Sequence, residues 1–315
     1  MSELKKCLVT GASGFIGKPF CVYLKNQGVF VRALFRNPTS GPWDEQVIHD
    51  LADPERYSIP ETIFDSIDTV FHLAGVAHAG RRSNISPEVY WTVNTASTGE
   101  LMHLAAKSGV RRFIYFSSTK AINPTDDYGS SKQAAEKLVL ELGAKHGLHV
   151  CILRPSLVYG PNLKGNLLSM MRGIDRGWFP ALPDTQNQRS LISVQDLSRV
   201  ALLAAKNVKA NGKIYTVTDG KNYSTRQLYD SMRQSLGRGR AKISFPLWPL
   251  KICARIGDLL RLPLNSESLD KITGSEVHSS ELLCEDLNWK PSTNFFQSMP
   301  EIVKAYKVDT KGSFN

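Results

Sequence analysis

The turn after the first apolar run, "LVTGASGFIG" from Leu8 to Gly17, constrains this chain more than any other stretch. Gly11, Gly14 and Gly17 lie between a run of strand formers, Lys6 to Thr10, and a helical stretch expected from about Phe15. The chain must therefore pass from strand to helix through a tight bend. Such a bend presents free backbone N–H groups at a helix start, where a pyrophosphate can be held. The spacing G-x-x-G-x-x-G in this context points to a dinucleotide site built from Gly11, Ser13, Gly14, Phe15, Ile16 and Gly17.

The same alternation continues through the first half. Strands are expected at Val29 to Phe35, Thr69 to Leu73, Arg112 to Phe116 and Val150 to Leu153. Helices run through Leu101 and Leu104, and from Tyr128 with Ala134, Ala135, Leu138 and Leu142 on one stripe. This pattern predicts an α/β fold, a Rossmann-type doubly wound parallel sheet. From Gly160 the texture changes, with Pro161, Pro180, Pro183, Trp178, Phe179 and the polar loop "DTQNQR". "RSLISVQDLSRVALLAAK" returns the chain to the sheet, and "GKIYTVTDG" adds a strand ending in a turn. Residues 1–160 and 189–220 are thus assigned to the dinucleotide-binding domain, and 161–188 and 221–315 to a smaller C-terminal substrate-binding lobe. The most apolar helical part of that lobe, "FPLWPLKICARIGDLLRL", is taken as lobe packing rather than a lipid-surface helix.

Composition narrows the function classes. A chain of 315 residues with 42% hydrophobic residues can bury a full core. No apolar run approaches the roughly 18 to 20 residues that span a bilayer. "MSELKK" leads straight into Cys7 to Val9 without the pattern of a signal peptide, so a cytoplasmic protein is expected. Five scattered cysteines without C-x-x-C spacing suggest neither a disulfide framework nor a metal site. The net charge of +10 is dispersed in pairs such as Arg81-Arg82 and Arg111-Arg112. That favours a basic surface and a phosphate-bearing small ligand over nucleic acid.

Two further features specify chemistry. The second strand, "VFVRALFRNP", ends in Phe35-Arg36, a basic residue where an NAD-binding chain carries an acid. Arg36, helped by Arg32, favours NADP(H) over NAD(H). Tyr128 and Lys132 in "YGSSK" stand four apart on a helix and so share a face. A lysine ammonium beside a phenol lowers its pKa and equips it for proton transfer. Ser117-Ser118-Thr119 sets hydroxyls at the end of the preceding strand, where open α/β sheets bind ligands.

"TGASGFIG", "HDLAD", "FHLAG", "VNTASTGEL", "RRFIYFSS", "YGSSKQAAE", "LRPSLVYGP" and "RSLISVQDL" occur in this order over nearly the whole chain. In them the sequence resembles the extended short-chain dehydrogenase/reductases that act on nucleotide sugars. The resemblance implies Ser118, Tyr128 and Lys132 as catalytic triad, with Asn94 in support. It sets Asp50 and Leu51 by the adenine, Leu73, Ala74 and Gly75 by the cofactor backbone, and Arg154-Pro155-Ser156 beneath the nicotinamide. Asn166 and Leu167 fall near a uridine diphosphate and Arg189 on its phosphates. The loop between Ser118 and Tyr128 is shorter than in the well-known epimerases, which makes Thr119 a candidate to replace Ser118. A late diphosphate-holding arginine has no match near Ser268, and Lys271 is the nearby candidate.

The implied partner is a UDP-sugar, and a homodimer is the oligomer to look for. The favoured activity is reduction of the C4 ketone of a UDP-4-keto-6-deoxy-N-acetylhexosamine, as in surface-polysaccharide sugar synthesis. The alternative is a UDP-hexose or UDP-N-acetylhexosamine 4-epimerase using bound NAD. A non-enzymatic dinucleotide sensor would not need Tyr128 and Lys132.

Overall fold

The structure, a computed structural model, describes residues 4–52, 59–77, 85–239, 241, 244–260 and 265–312. Its strands are β1 (Lys6–Thr10), β2 (Phe30–Phe35), β3 (Glu45–Ile48), β4 (Thr69–His72), β5 (Arg112–Phe116), β6 (His149–Pro155), β7 (Leu157–Tyr159), β8 (Arg189–Ser193), β9 (Lys213–Val217) and β10 (Asn222–Tyr223). Its helices are α1 (Gly17–Asn26), α2 (Pro87–Tyr90), α3 (Ser97–Lys107), α4 (Asp127–His146), α5 (Gly165–Arg176), α6 (Val194–Lys206), α7 (Thr225–Ser235), α8 (Leu247–Leu260), α9 (Ser266–Thr273), α10 (Glu281–Leu287) and α11 (Phe295–Gly312).

Residues 1–156, 194–217 and 280–290 form one compact unit. It holds a seven-stranded sheet in the order β3-β2-β1-β4-β5-β6-β9, every pair parallel. Helices cover both faces, so the central strands are buried throughout and read as continuous apolar runs such as "RFIYF" in β5. The chain steps outward from β1 to β3 and then returns to β4 on the other side of β1. The carboxyl ends of β1 and β4 thus flank the switch point where such sheets bind ligands.

Asp68 holds the opposite ends of these strands together. Its carboxylate accepts from the Lys5 and Lys6 backbone N–H groups at 2.8 and 3.0 Å and from Arg112 at 3.2 Å. Arg112 is therefore buried, whereas Arg111 beside it is exposed. This corrects the expectation that the Arg111-Arg112 pair belongs to a basic surface. The pair Arg81-Arg82 lies outside the described residues.

The second unit comprises residues 157–193, 218–279 and 291–315. A three-stranded sheet, β10-β8-β7, packs with α5, α7 and α11 around Tyr159, Leu167, Met171, Met232 and Phe295. Four segments differ from the sequence expectation, two of them being residues 157–160 and 218–220, which belong to this unit and not to the first. β8 pairs with β7 and β10 in this small sheet, so the return to the large sheet begins only at α6. α10 joins the first unit, where Asp286 accepts from the Tyr215 hydroxyl of β9 at 2.9 Å.

Candidate active site

The glycine turn is fixed by contacts that exclude side chains. Gly11 has φ +69°, and a Cβ there would come within 2.7 Å of the Ala74 backbone nitrogen. A Cβ on Gly17 would lie 2.1 Å from the Gly11 carbonyl oxygen, which itself accepts from Gly14 N–H at 3.0 Å. The turn is thus as tight as a backbone allows. It delivers the chain into α1, whose first turn has no side-chain cap and no acidic residue. Ser13 is exposed, and Phe15 and Ile16 are half-buried along the same bend.

At the end of β4, a group that sequence reasoning passed over sets the geometry. His72 is fully buried between two threonines. Its Nε2 lies 2.9 Å from Thr98 Oγ1, whose own proton goes to the Asn94 carbonyl at 2.8 Å. Nε2 must therefore be the donor and Nδ1 the acceptor, taking the Thr10 hydroxyl proton at 2.7 Å, while Thr10 Oγ1 accepts from Ala74 N–H at 3.0 Å. This relay ties the Leu73–Gly75 segment to the element that carries Asn94. That element is a π-helix, Trp91–Ala96, an irregularity frequent at functional sites. Asn94 Oδ1 accepts from Val76 N–H at 2.9 Å, and its Nδ2 donates to the Val76 carbonyl at 3.0 Å and to Ser131 Oγ at 3.1 Å.

The relay requires neutral imidazole. Burial, aided by the Lys132 charge, holds the His72 pKa down at about 3 against its ordinary 6.5. The unfolded chain takes up a proton as pH falls through 6.5 and the native protein does not, so stability is lost over that window by up to roughly 1.4 kcal/mol per pH unit. Urea unfolding of His72→Gln between about pH 4 and 6.5 should give a shallower loss of stability than wild type. Equal slopes would refute this.

Tyr128 and Lys132 lie in the first two turns of α4, which starts where the Asp126 carboxylate accepts from Gly129 N–H at 2.8 Å. The buried face of α4 carries Ser131, Lys132, Ala135, Glu136 and Val139; of the expected stripe Ala134, Ala135, Leu138 and Leu142, Ala135 is buried and the other three are half-buried. Lys132 donates to the Phe116 carbonyl at 2.9 Å and sits 4.7 Å over the Tyr115 ring. A Cβ on Gly75 would meet Asn94 Oδ1 at 2.9 Å and Lys132 Nζ at 3.2 Å, so the backbone after β4 runs directly against the ammonium. Burial lowers the Lys132 pKa to about 8, against the pull of the Glu136 carboxylate. Glu136 is held by Arg154, with Nε 2.8 Å from Oε1, and by the Ser117 hydroxyl.

The Ser118 hydroxyl hydrogen-bonds to the Tyr128 phenol, whose ring also meets Tyr90 edge-on at 6.3 Å between centroids. Burial raises the phenol pKa, the Ser118 hydrogen bond opposes it, and Asp126 and Tyr90 add to it. The lysine-lowered phenol expected from the sequence is therefore not what this arrangement gives, because desolvation is the largest influence on the phenol and Lys132 is not among the groups that shift it. Thr119 is buried at the start of a short 3₁₀ turn that Ser118 caps. Ser118 is thus the hydroxyl joined to the tyrosine.

Around this centre, Arg36 follows β2 exposed and without a hydrogen bond or ion pair among the described residues. Arg32 cannot assist it, being bound to Glu45 at 2.6 Å and to the Ile63 carbonyl at 2.8 Å. Asp50 is exposed and accepts from Ala52 N–H at 2.9 Å, Leu51 is buried, and Pro155 ends β6. In the second unit, Asn166 is exposed and Leu167 is a core residue, both at the start of α5, which has no side-chain cap. Arg189 opens β8, half-buried beside Glu276. The side chains of Ser268 and Lys271 lie outside the described residues.

A family model described as the NAD dependent epimerase/dehydratase family matches residues 7–218. A UDP-glucose 4-epimerase of Vibrio cholerae is 28% identical over 321 residues, covering 96% of this chain and 95% of that protein. The solved UDP-glucose 4-epimerase of Thermotoga maritima with UDP-glucose matches with a TM-score of 0.76 at 21% identity, over 97% of this chain and 99% of that one. The Bordetella bronchiseptica enzyme WbmF, solved with NAD+ and UDP, matches with a TM-score of 0.77 at 18% identity, over 98% and 94% of the two chains. At such identities the two structural matches speak to the fold.

Proposed function

The chain belongs to the NAD dependent epimerase/dehydratase family, and on that premise we propose that it reduces the C4 ketone of a UDP-4-keto-6-deoxy-N-acetylhexosamine with NADPH. The observation that carries this choice is Arg36, an exposed cation without a hydrogen bond or ion pair among the described residues, at the end of β2 where a 2′-phosphate is read. Net reduction consumes reducing equivalents, which suits a phosphorylated cofactor.

The residues fit a dinucleotide. The Gly11–Gly17 bend leaves room only for a backbone against the uncapped start of α1, which suits a pyrophosphate. Arg36 would take the 2′-phosphate, Asp50 and Leu51 the adenine side, Leu73 to Gly75 and Asn94 the cofactor backbone, Lys132 the nicotinamide ribose, and Pro155 the ring. When bound, this cofactor supplies the hydride. Tyr128 supplies the proton: its raised pKa keeps the phenol protonated at neutral pH, ready to donate to the oxygen that forms at C4. Ser118 orients that phenol and can hydrogen-bond the same oxygen.

For the substrate diphosphate, the backbone N–H groups of Asn166 and Leu167 at the α5 start and the Arg189 guanidinium are the donors. Leu167 takes part through its backbone only, since its side chain is in the core of its unit. A cytoplasmic, reducing setting agrees with the free thiols of Cys7, Cys21 and Cys151. A homodimer would be checked by sedimentation of the purified protein.

The second reading, a 4-epimerase acting on UDP-hexoses with bound NAD, is favoured by the Vibrio cholerae relative, which matches along nearly the whole chain. Purified protein given the 4-keto sugar nucleotide and NADPH separates the two. The reductase oxidises one NADPH per ketone. Interconversion of UDP-glucose and UDP-galactose, or of their N-acetylamino forms, without net cofactor consumption would establish the epimerase instead.

A further inference from the structure

Helix α8 is turned the wrong way round for a helix that only completes a core. Trp248, Ile252, Ile256 and Leu259 are 66, 50, 49 and 82% exposed, and their spacing of four, four and three residues sets them on one face. Phe245 before the helix and Leu260 at its end are exposed as well. The buried positions include the small residues Ala254 and Gly257. One face of the helix therefore packs within its unit, as expected, and the stripe is what that packing leaves exposed. Single exposed apolar residues are ordinary, but a continuous stripe along a helix marks a surface that something covers.

The charges indicate what that is. Lys251 and Arg255 are exposed on the same helix. In the sequence from 237 to 261 there are six basic residues, Arg238, Arg240, Lys242, Lys251, Arg255 and Arg261, and one acidic residue, Asp258; of these Arg238 donates to the Asp175 carbonyl of α5, so Lys251 and Arg255 are the described cations on the helix itself. Arg240, Lys242 and Arg261 lie outside the described residues. The Asp258 carboxylate is occupied locally, accepting from the Ser266 backbone N–H at 3.2 Å and from its hydroxyl at 2.5 Å. A second copy of this stripe would bring like charges together, whereas an anionic bilayer accepts both the apolar stripe and its basic border.

We propose that α8 is a peripheral membrane-binding helix, lying in the plane of an anionic lipid surface with Trp248, Ile252, Ile256 and Leu259 in the acyl boundary and Lys251 and Arg255 at the headgroups. At 14 residues it is too short to span a bilayer. The activity proposed above does not depend on this attachment.

The full chain is tested by co-sedimentation with vesicles of phosphatidylcholine mixed with phosphatidylglycerol, and with vesicles of phosphatidylcholine alone. Wild type should pellet with the anionic vesicles and release at high salt. Trp248→Ser/Ile252→Ser/Leu259→Ser should bind roughly tenfold more weakly, and so should Lys251→Glu/Arg255→Glu, which keeps the stripe and reverses its border. Thermal melts and turnover of soluble substrate by both variants should match wild type. Wild type that stays in the supernatant, variants that pellet like wild type, or equal binding to both vesicle types overturns the proposal. A dimer that the serine variant dissociates, without vesicle binding, assigns the stripe to a second copy and also overturns it.

Discussion

Tyr128→Phe is expected to lose at least about 10²- to 10⁴-fold in turnover, the range of general acid–base catalysis, while binding cofactor nearly as well as wild type. The substitution keeps the ring against Tyr90 and removes only the hydroxyl that Ser118 orients. Because burial raises the phenol pKa, the phenol stays protonated throughout the neutral range, as a proton donor to the substrate oxygen must be. Ser117 is committed to Glu136, and Lys132 to the Phe116 carbonyl. Steady-state turnover with cofactor titration in parallel checks it. A variant retaining more than a tenth of wild-type activity would remove Tyr128 from the chemistry.

Arg36→Asp is expected to reverse cofactor preference. Loss of charge-assisted hydrogen bonds to a 2′-phosphate, about 1.5 to 3 kcal/mol, weakens NADPH roughly 10- to 100-fold, and the new carboxylate repels it further. The same carboxylate can accept from the two ribose hydroxyls of NADH and strengthen its binding. Arg32 will not compensate, since Glu45 and the carbonyls of Thr62 and Ile63 hold it in place. Fluorescence titration of both cofactors against both proteins decides the matter, and an unchanged preference ratio would show that Arg36 does not read the cofactor.

Much of this site was legible because glycine and strand periodicity act locally. Gly11 and Gly17 are needed for contacts within their own turn and with the adjacent strand, so their spacing carries the bend in the sequence. The position of Tyr128 and Lys132 followed from helix geometry alone. The burial of α4 did not, because Lys132 and Glu136 sit on its deepest face and a hydrophobicity pattern assigns charged residues to solvent. Arg112 was hidden for the same reason: its partner Asp68 is distant in sequence and only the sheet brings them together. His72 and the π-helix at Asn94 gave no signal, since a histidine in an apolar run is equally compatible with ordinary packing. The pairing of β8 with β7 and β10 depended on contacts that no local pattern specifies.

The measurement that bears most directly on the proposed activity is the fate of the transferred hydrogen. With NADPH carrying deuterium at both positions of the reactive nicotinamide carbon and a 4-keto-6-deoxy sugar nucleotide as substrate, a reductase places one deuterium at C4 of each product molecule, while Tyr128 provides an exchangeable solvent-derived proton to the oxygen. Mass and NMR spectra of the isolated product should show that label. A C4 hydrogen free of deuterium, or a UDP-hexose epimerised with its own hydrogen retained at C4 and no cofactor consumed, would contradict the account.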